Sequence, residues 1–235
     1  MKNKPYLCSP KLKSTAMKKL LFAVFCLAAS MRLTGQTYVG GWTITPKIGA
    51  NLATMNSFTF STENYWTIEP KWKVGLVAGV ETEWQMTQRT GISFGVFYAQ
   101  QGCRWGHVDN LRKDMKLTTH CLNLPVLSNF YVLPKLALKA GVQFGYSVSN
   151  RVSYNEMASE VMNQNNTDDK LWERRSYNDD NINKFDVSIP VGVSYNFYDV
   201  VFDLRYNFGL NSMHKSISGV HNHMIMLTIG SCIEL

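Results

Sequence analysis

The chain has 235 residues, 45% hydrophobic and only 17% charged, which excludes a disordered or collagen-like polymer and leaves one or two folded domains. Its formal charge of +7 would suggest a nucleic-acid binder, but seven bases and no acid stand in residues 1–36, so the remainder carries 17 bases and 17 acids. The excess belongs to the leader, and nucleic-acid binding loses its support.

From Met17 the chain reads Lys18-Lys19, an apolar run over residues 20–29, and a polar end to Gln36. That is the tripartite form of a secretory signal peptide, too short to span a bilayer. Met17 is then the expected start, with residues 1–36 removed and 37–235 forming one domain. Bulky Phe25 before Cys26 argues against a lipoprotein. Cleavage leaves Cys103, Cys121 and Cys232. Export permits a disulfide, and Cys103 closes one expected strand while Cys121 opens the next, so these two are a candidate staple with Cys232 left over.

A first strand sets Ile44, Pro46, Ile48, Ala50 and Leu52 against Thr45, Lys47, Gly49 and Asn51. Such alternation is strand periodicity. A polar loop over 55–70 follows. The second strand places Trp72, Val74, Leu76, Ala78, Val80 and Trp84 opposite Lys73, Gly75, Gly79, Glu81 and Glu83, and a short link leads to a third over residues 92–101. After a charged loop, 104–116, a fourth strand carries Leu122, Leu124, Val126, Phe130 and Val132 on one face; Leu133-Pro134-Lys135 makes a tight turn. A fifth strand runs to about Asn150 and is followed by the longest polar segment, 151–183. Residues 185–197 and 202–210 form the sixth and seventh strands, joined at Tyr198-Asp199. Loop 212–222 leads to the eighth, with Ile225, Leu227, Ile229 and Ile233 on one face.

Eight strands joined alternately by long and short connections predict an all-β fold: an eight-stranded antiparallel up-and-down transmembrane β-barrel with short periplasmic turns and long extracellular loops. Charge assigns the faces. None of the apolar-parity positions is Asp, Glu, Lys or Arg, whereas a Lys or Arg facing lipid near the midplane costs about 2–4 kcal/mol. The other parity carries Lys47, Lys73, Glu81, Glu83, Lys139, Asp186, Asp203, Arg205 and Glu234. Facing inward, these nine form a lumen charge network, because buried charges must pair. Glycines on the same parity make room for long side chains in a narrow tube. Trp42, Trp84, Phe130, Tyr195 and Phe197 gather at expected periplasmic ends, and Trp72, Tyr146, Phe185 and Phe208 near the loops, as two interfacial belts require. Pro125 and Pro190 predict a bulge or a missing ladder bond.

Four segments carry a family resemblance: Lys47-Ile-Gly-Ala-Asn-Leu52, Leu122-Asn-Leu-Pro-Val-Leu127, Ala140-Gly-Val-Gln-Phe-Gly-Tyr146 and Asp203-Leu-Arg-Tyr-Asn-Phe-Gly-Leu210. In this order they resemble the PorT-like, porin-superfamily outer-membrane β-barrel domain of the Bacteroidetes. The terminal Ile233-Glu234-Leu235 departs from the aromatic end usual in such barrels. The resemblance implies an outer-membrane location and no single activity.

The expected role is therefore structural or interactive. The partners are outer-membrane lipid and another envelope protein or extracellular ligand, met by loops 55–70, 104–116, 151–183 and 212–222. No cofactor and no catalytic residue is expected. One alternative is a soluble lipocalin-like barrel with the apolar parity inside around a hydrophobic ligand. Another is a narrow pore or rim-active barrel; His221 and His223 share a face, yet no Cys, Asp or Glu completes a metal site at familiar spacing.

Overall fold

The computed structural model describes residues 39–56, 58–60, 66–68, 70–105, 112–157, 172–179, 181–215 and 219–235. The expected leader, and parts of the loops expected at 55–70, 104–116, 151–183 and 212–222, lie outside these residues. Among the described residues there are twelve strands: β1 (Trp42–Met55), β2 (Phe58–Phe60), β3 (Trp66–Ile68), β4 (Lys73–Gln85), β5 (Thr90–Gln101), β6 (Arg112–Leu133), β7 (Leu136–Met157), β8 (Trp172–Asn178), β9 (Phe185–Phe197), β10 (Val200–Gly209), β11 (Asn222–Ser231) and β12 (Ile233–Glu234).

Eight of them close on themselves. The order runs β1, β4, β5, β6, β7, β9, β10, β11 and returns to β1 through a nine-residue antiparallel register from Lys47↔Gly230 to Met55↔Asn222. Every strand pairs with the barrel strand next to it in sequence, so the closed ring is up-and-down and leaves no edge in its wall. β12 continues β11 beyond Cys232, β2 and β3 pair only with each other, and β8 pairs with the far end of β7.

Three tight connections, the start of β1 and the end of β12 share one rim. In the first, Thr87 Oγ1 accepts from the N–H groups of Arg89 and Thr90 at 3.2 and 3.0 Å, the self-bonded turn that hydroxyl side chains form. In the third, Tyr198 holds φ 56°, unusual for a bulky residue, with Lys135 Nζ 5.3 Å from its ring centroid.

The two faces differ sharply. Leu204 is 47% exposed while Arg205 beside it is 1% exposed; Leu76 is 67% exposed and Val77 1%. The apolar parity therefore lies outside, and the lipocalin-like alternative is overturned. So large an apolar surface, carrying no acidic or basic side chain among the described spanning residues, suits hydrocarbon and not water. β10, with ten residues, has the length that a tilted strand needs to cross a bilayer.

The prolines leave their mark in the ladders. Pairing between β5 and β6 is interrupted between Phe94↔Val126 and Phe97↔Asn123, around Pro125, and that between β7 and β9 between Ala140↔Val191 and Gln143↔Ser188, around Pro190, with the register unchanged across each gap. Each proline lacks the N–H that the ladder uses.

Two expectations need correction. The polar segments at 104–116 and 151–183 are not loops throughout: β6 starts at Arg112, β7 runs to Met157, and β8 adds a third strand. Apolar alternation stops where both faces meet water, but backbone pairing continues, so hydrophobic periodicity cannot see these extensions. The 55–70 segment likewise contains the β2–β3 hairpin.

The second correction is the staple. Cys103 and Cys121 are free and buried. The β5–β6 register sets Cys121 against Ala99, while the Leu117 N–H donates to the Cys103 carbonyl at 3.0 Å. The thiols are thus offset by four residues, about 13 Å of strand, against a bridging limit of about 7 Å between Cα atoms. Burial also pushes the Cys103 thiol up to about 12. At pH 8 it therefore stays protonated, and alkylation of the folded protein should leave Cys103 unmodified. After denaturation without reductant Cys103, Cys121 and Cys232 should all react; a protected pair would restore the disulfide.

Candidate functional site

The register that closes the barrel carries five of the nine inward charges to one level of the bore. Lys47 projects from β1, Glu81 from β4, Lys139 from β7, and Asp203 and Arg205 from β10; all are essentially inaccessible. Lys139 comes from the wall opposite Lys47, four strands round the ring. Lys47 Nζ lies 2.8 Å from Glu81 Oε1 and 2.9 Å from Asp203 Oδ2. Lys139 Nζ lies 2.6 Å from Glu81 Oε1 and 3.2 Å from Asp203 Oδ2. Arg205 Nη2 completes the layer, donating to Glu81 Oε2 at 2.7 Å and Asp203 Oδ2 at 2.9 Å, while its Nε reaches Asp203 Oδ1 at 3.1 Å. Each carboxylate is thus held by all three cations.

Glycine and one aromatic make this geometry fit. A Cβ on Gly79 would stand 2.5 Å from the Phe97 ring, and one on Gly230 would stand 2.7 Å from Lys47 Cγ. Phe97, buried on the inward face of β5, places its ring centroid 5.7 Å from the Arg205 guanidinium carbon. Such a contact adds a cation–π attraction to the ion pairs. The signal for Phe97 was its inward parity next to Gly95, which sequence reasoning passed over in favour of charges.

The other four charges go elsewhere. Lys73 Nζ donates to the Gln101 carbonyl at 2.8 Å, nearer the loop rim. Glu83 accepts a short bond from the Tyr131 hydroxyl near the turn rim. Asp186 sits at the outer end of β9, and its Oδ1 has no hydrogen-bond partner among the described residues. Glu234 is half-buried beside Thr43 at the chain end. Inward parity was legible in the sequence, but height in the bore depends on register between strands and was not.

Above the ionic layer the mouth is filled by apolar side chains. Met55, Cys103, Leu117, Val152, Ile182, Met213 and Val220 form one buried cluster, with Trp105, Met115 and Tyr154 packed against it. Met55, Leu117 and Val152 sit in the outer parts of β1, β6 and β7, and Cys103, Ile182, Met213 and Val220 just beyond the outer ends of β5, β9, β10 and β11, so the cluster lies across the bore. A deeper cluster joins Val77, Phe97 and Met224.

The aromatics expected at the membrane interfaces lie on the outer surface. Trp42 and Trp84 stack at 6.0 Å with 16° between planes at the turn rim. Phe130, Tyr195 and Phe197 are exposed at the same rim, and Trp72 at the opposite one. His223 is held by Tyr206, with hydroxyl to Nδ1 2.8 Å, and by a short bond to Asn56. No three His, Cys, Asp or Glu side chains converge as a metal site among the described residues.

A family model described as an outer membrane protein beta-barrel domain matches residues 30–215. Among solved structures the chain is similar to Ail, the attachment invasion locus protein of Yersinia pestis, at 15% identity, covering 83% of this chain and 100% of that one with a TM-score of 0.43. It is similar also to Neisserial surface protein A, at 12% identity with 81% and 96% covered and a TM-score of 0.43. For OprG of Pseudomonas aeruginosa the identity is 11%, the coverage 86% and 99%, and the TM-score 0.40. No curated protein sequence matches. With a closed eight-stranded wall, an uncharged apolar exterior and a family match over most of its length, the chain belongs to the outer membrane protein beta-barrel domain family.

Proposed function

We propose that this outer-membrane barrel does not transport solutes and acts by presenting its outer strands and loops to a partner or surface. The observation that carries the reading is the filled bore: an ionic layer of five interlocked charges lies beneath an apolar cluster drawn from three strands and from the segments just beyond four others. An eight-stranded tube has room for little beyond its own side chains. Outside, β6, β7 and β8 form a three-stranded sheet whose described β8 side chains are exposed, a platform for contact. Among the described residues no three His, Cys, Asp or Glu side chains converge to support metal-assisted catalysis. Within the family, the four segments quoted above favour the PorT-like type, and residues 1–36 are read as a cleaved secretory leader.

Purified barrel in planar bilayers is expected to be silent at moderate voltage. An epitope inserted between Met157 and Trp172 is expected to bind antibody on intact cells. Stable ohmic channels would refute the sealed bore, and an epitope reached only after the outer membrane is opened would refute the presentation role.

A further inference from the structure

The ionic layer carries one positive charge in excess. Among the described residues Lys47, Lys139 and Arg205 form ion pairs with Glu81 and Asp203 and with no third carboxylate, and all five side chains are shut off from water. Nearer the turn rim the next inward carboxylate is Glu83, half-buried and bound by the Tyr131 hydroxyl. Toward the loops the next inward charges are Lys73 and Asp186, one of each sign. A buried charge without its counter-charge is costly, so the excess calls for an anion.

Unused donors stand on the loop side of the layer. Arg205 binds Asp203 through Nε and Nη2 and Glu81 through Nη2, so its planar fork turns Nη1 away from both carboxylates. That Nη1 has no hydrogen-bond partner among the described residues. The next inward residue toward the loops on β10 is Asn207, about 7 Å along the strand, and the pairing row Arg205–Met226–Asn51 sets Asn51 about 10 Å away across β11. Asn207 and Asn51 are 3% and 1% exposed, and neither side-chain amide has a partner among the described residues. Asn51 Oδ1 lies against Gly75 of β4, where a Cβ would come within 2.6 Å of it, so its Nδ2 faces away from that strand. Buried Val77, Phe97, Met224 and Met226 supply the apolar part of the wall at this level.

We propose that Arg205 Nη1 and the amides of Asn51 and Asn207 hold one bare monovalent anion of the halide class. Water would satisfy the donors and leave the excess charge, whereas a halide answers both, taking a charge-assisted bond from the guanidinium. The excess is a single charge, which suits chloride and not phosphate or sulfate. The apolar neighbours have no donor for the outer oxygens of a polyatomic anion, and a monatomic ion needs none. With the apolar cluster on one side and the ionic layer on the other, the ion enters while the barrel folds and stays as part of the folded structure.

The test follows reversible urea unfolding of the full barrel in lipid vesicles at constant ionic strength, with chloride exchanged for gluconate, a bulky polyhydroxy acid. Wild type is expected to fold with an equilibrium constant that rises about tenfold for each tenfold increase in chloride once the site is mostly filled, the slope for one bound ion. Bromide should substitute, and crystals of barrel refolded in bromide should show an anomalous peak beside Arg205 Nη1. Lys47→Met removes the excess charge and Asn207→Leu removes a donor; either should flatten the chloride dependence, and the second serves where the first does not fold. Equal folding in chloride and gluconate would overturn the site and mean that the layer reaches neutrality by shedding a proton. A chloride dependence unchanged in both variants, or a bromide-refolded crystal without a peak at Arg205, would overturn it too.

Discussion

Replacing Glu81 with alanine is expected to lower the stability of the folded barrel by about 3–5 kcal/mol, the usual cost of removing one partner from a buried ion network. Glu81 accepts from Lys47, Lys139 and Arg205, so its loss leaves three buried cations around Asp203 alone. Urea titration in lipid vesicles, followed by heat-modifiable migration, measures the loss. Its cause can be separated from packing by a second substitution. If charge imbalance dominates, Glu81→Gln with Lys139→Gln should be more stable than the two single effects summed, by a coupling of about 0.5–3 kcal/mol. Additive effects would mean that the layer is a set of independent contacts and not one interlocked unit.

Leu204→Arg should cost about 2–4 kcal/mol, the penalty for arginine near the midplane of the lipid face. Leu204 lies midway along β10, exposed, between Leu227 and Val193 on the neighbouring strands. Arg205, one position on, is buried and paired. The contrast uses the same side chain at adjacent positions, so it reports the environment and not helix or strand preference. The same urea titration measures it; a change within about 0.5 kcal/mol, ordinary for a water-facing surface, would place Leu204 in water.

How much of this was legible in the sequence follows from which physical constraint acts where. Inside the bilayer each strand must show lipid an apolar face, so Leu204, Leu227 and Val193 announce the strands and their parity. The eight-stranded closure follows from counting them. Above the bilayer that constraint lapses: the outer part of β7 from Arg151, and Trp172–Asn178 of β8, are strands held by backbone pairing, without an apolar stripe to betray them. Register was the other blind spot. Parity put Lys73, Glu83 and Asp186 inside together with Lys47 and Glu81, but only the observed pairing separates the five that meet from the four that do not. The same lack of register made Cys103 and Cys121 look adjacent.

Methyl contacts with lipid decide the central claim most directly. In nanodiscs with protonated acyl chains and an otherwise deuterated, methyl-labelled barrel, Leu76, Leu204 and Val191 are expected to show cross-relaxation to acyl protons. Val77 and Leu127, each 1% exposed and pointing into the bore, are expected to show none. Acyl contacts at Val77 and Leu127, with Leu76 and Leu204 contacting only water, would invert the wall and contradict the account.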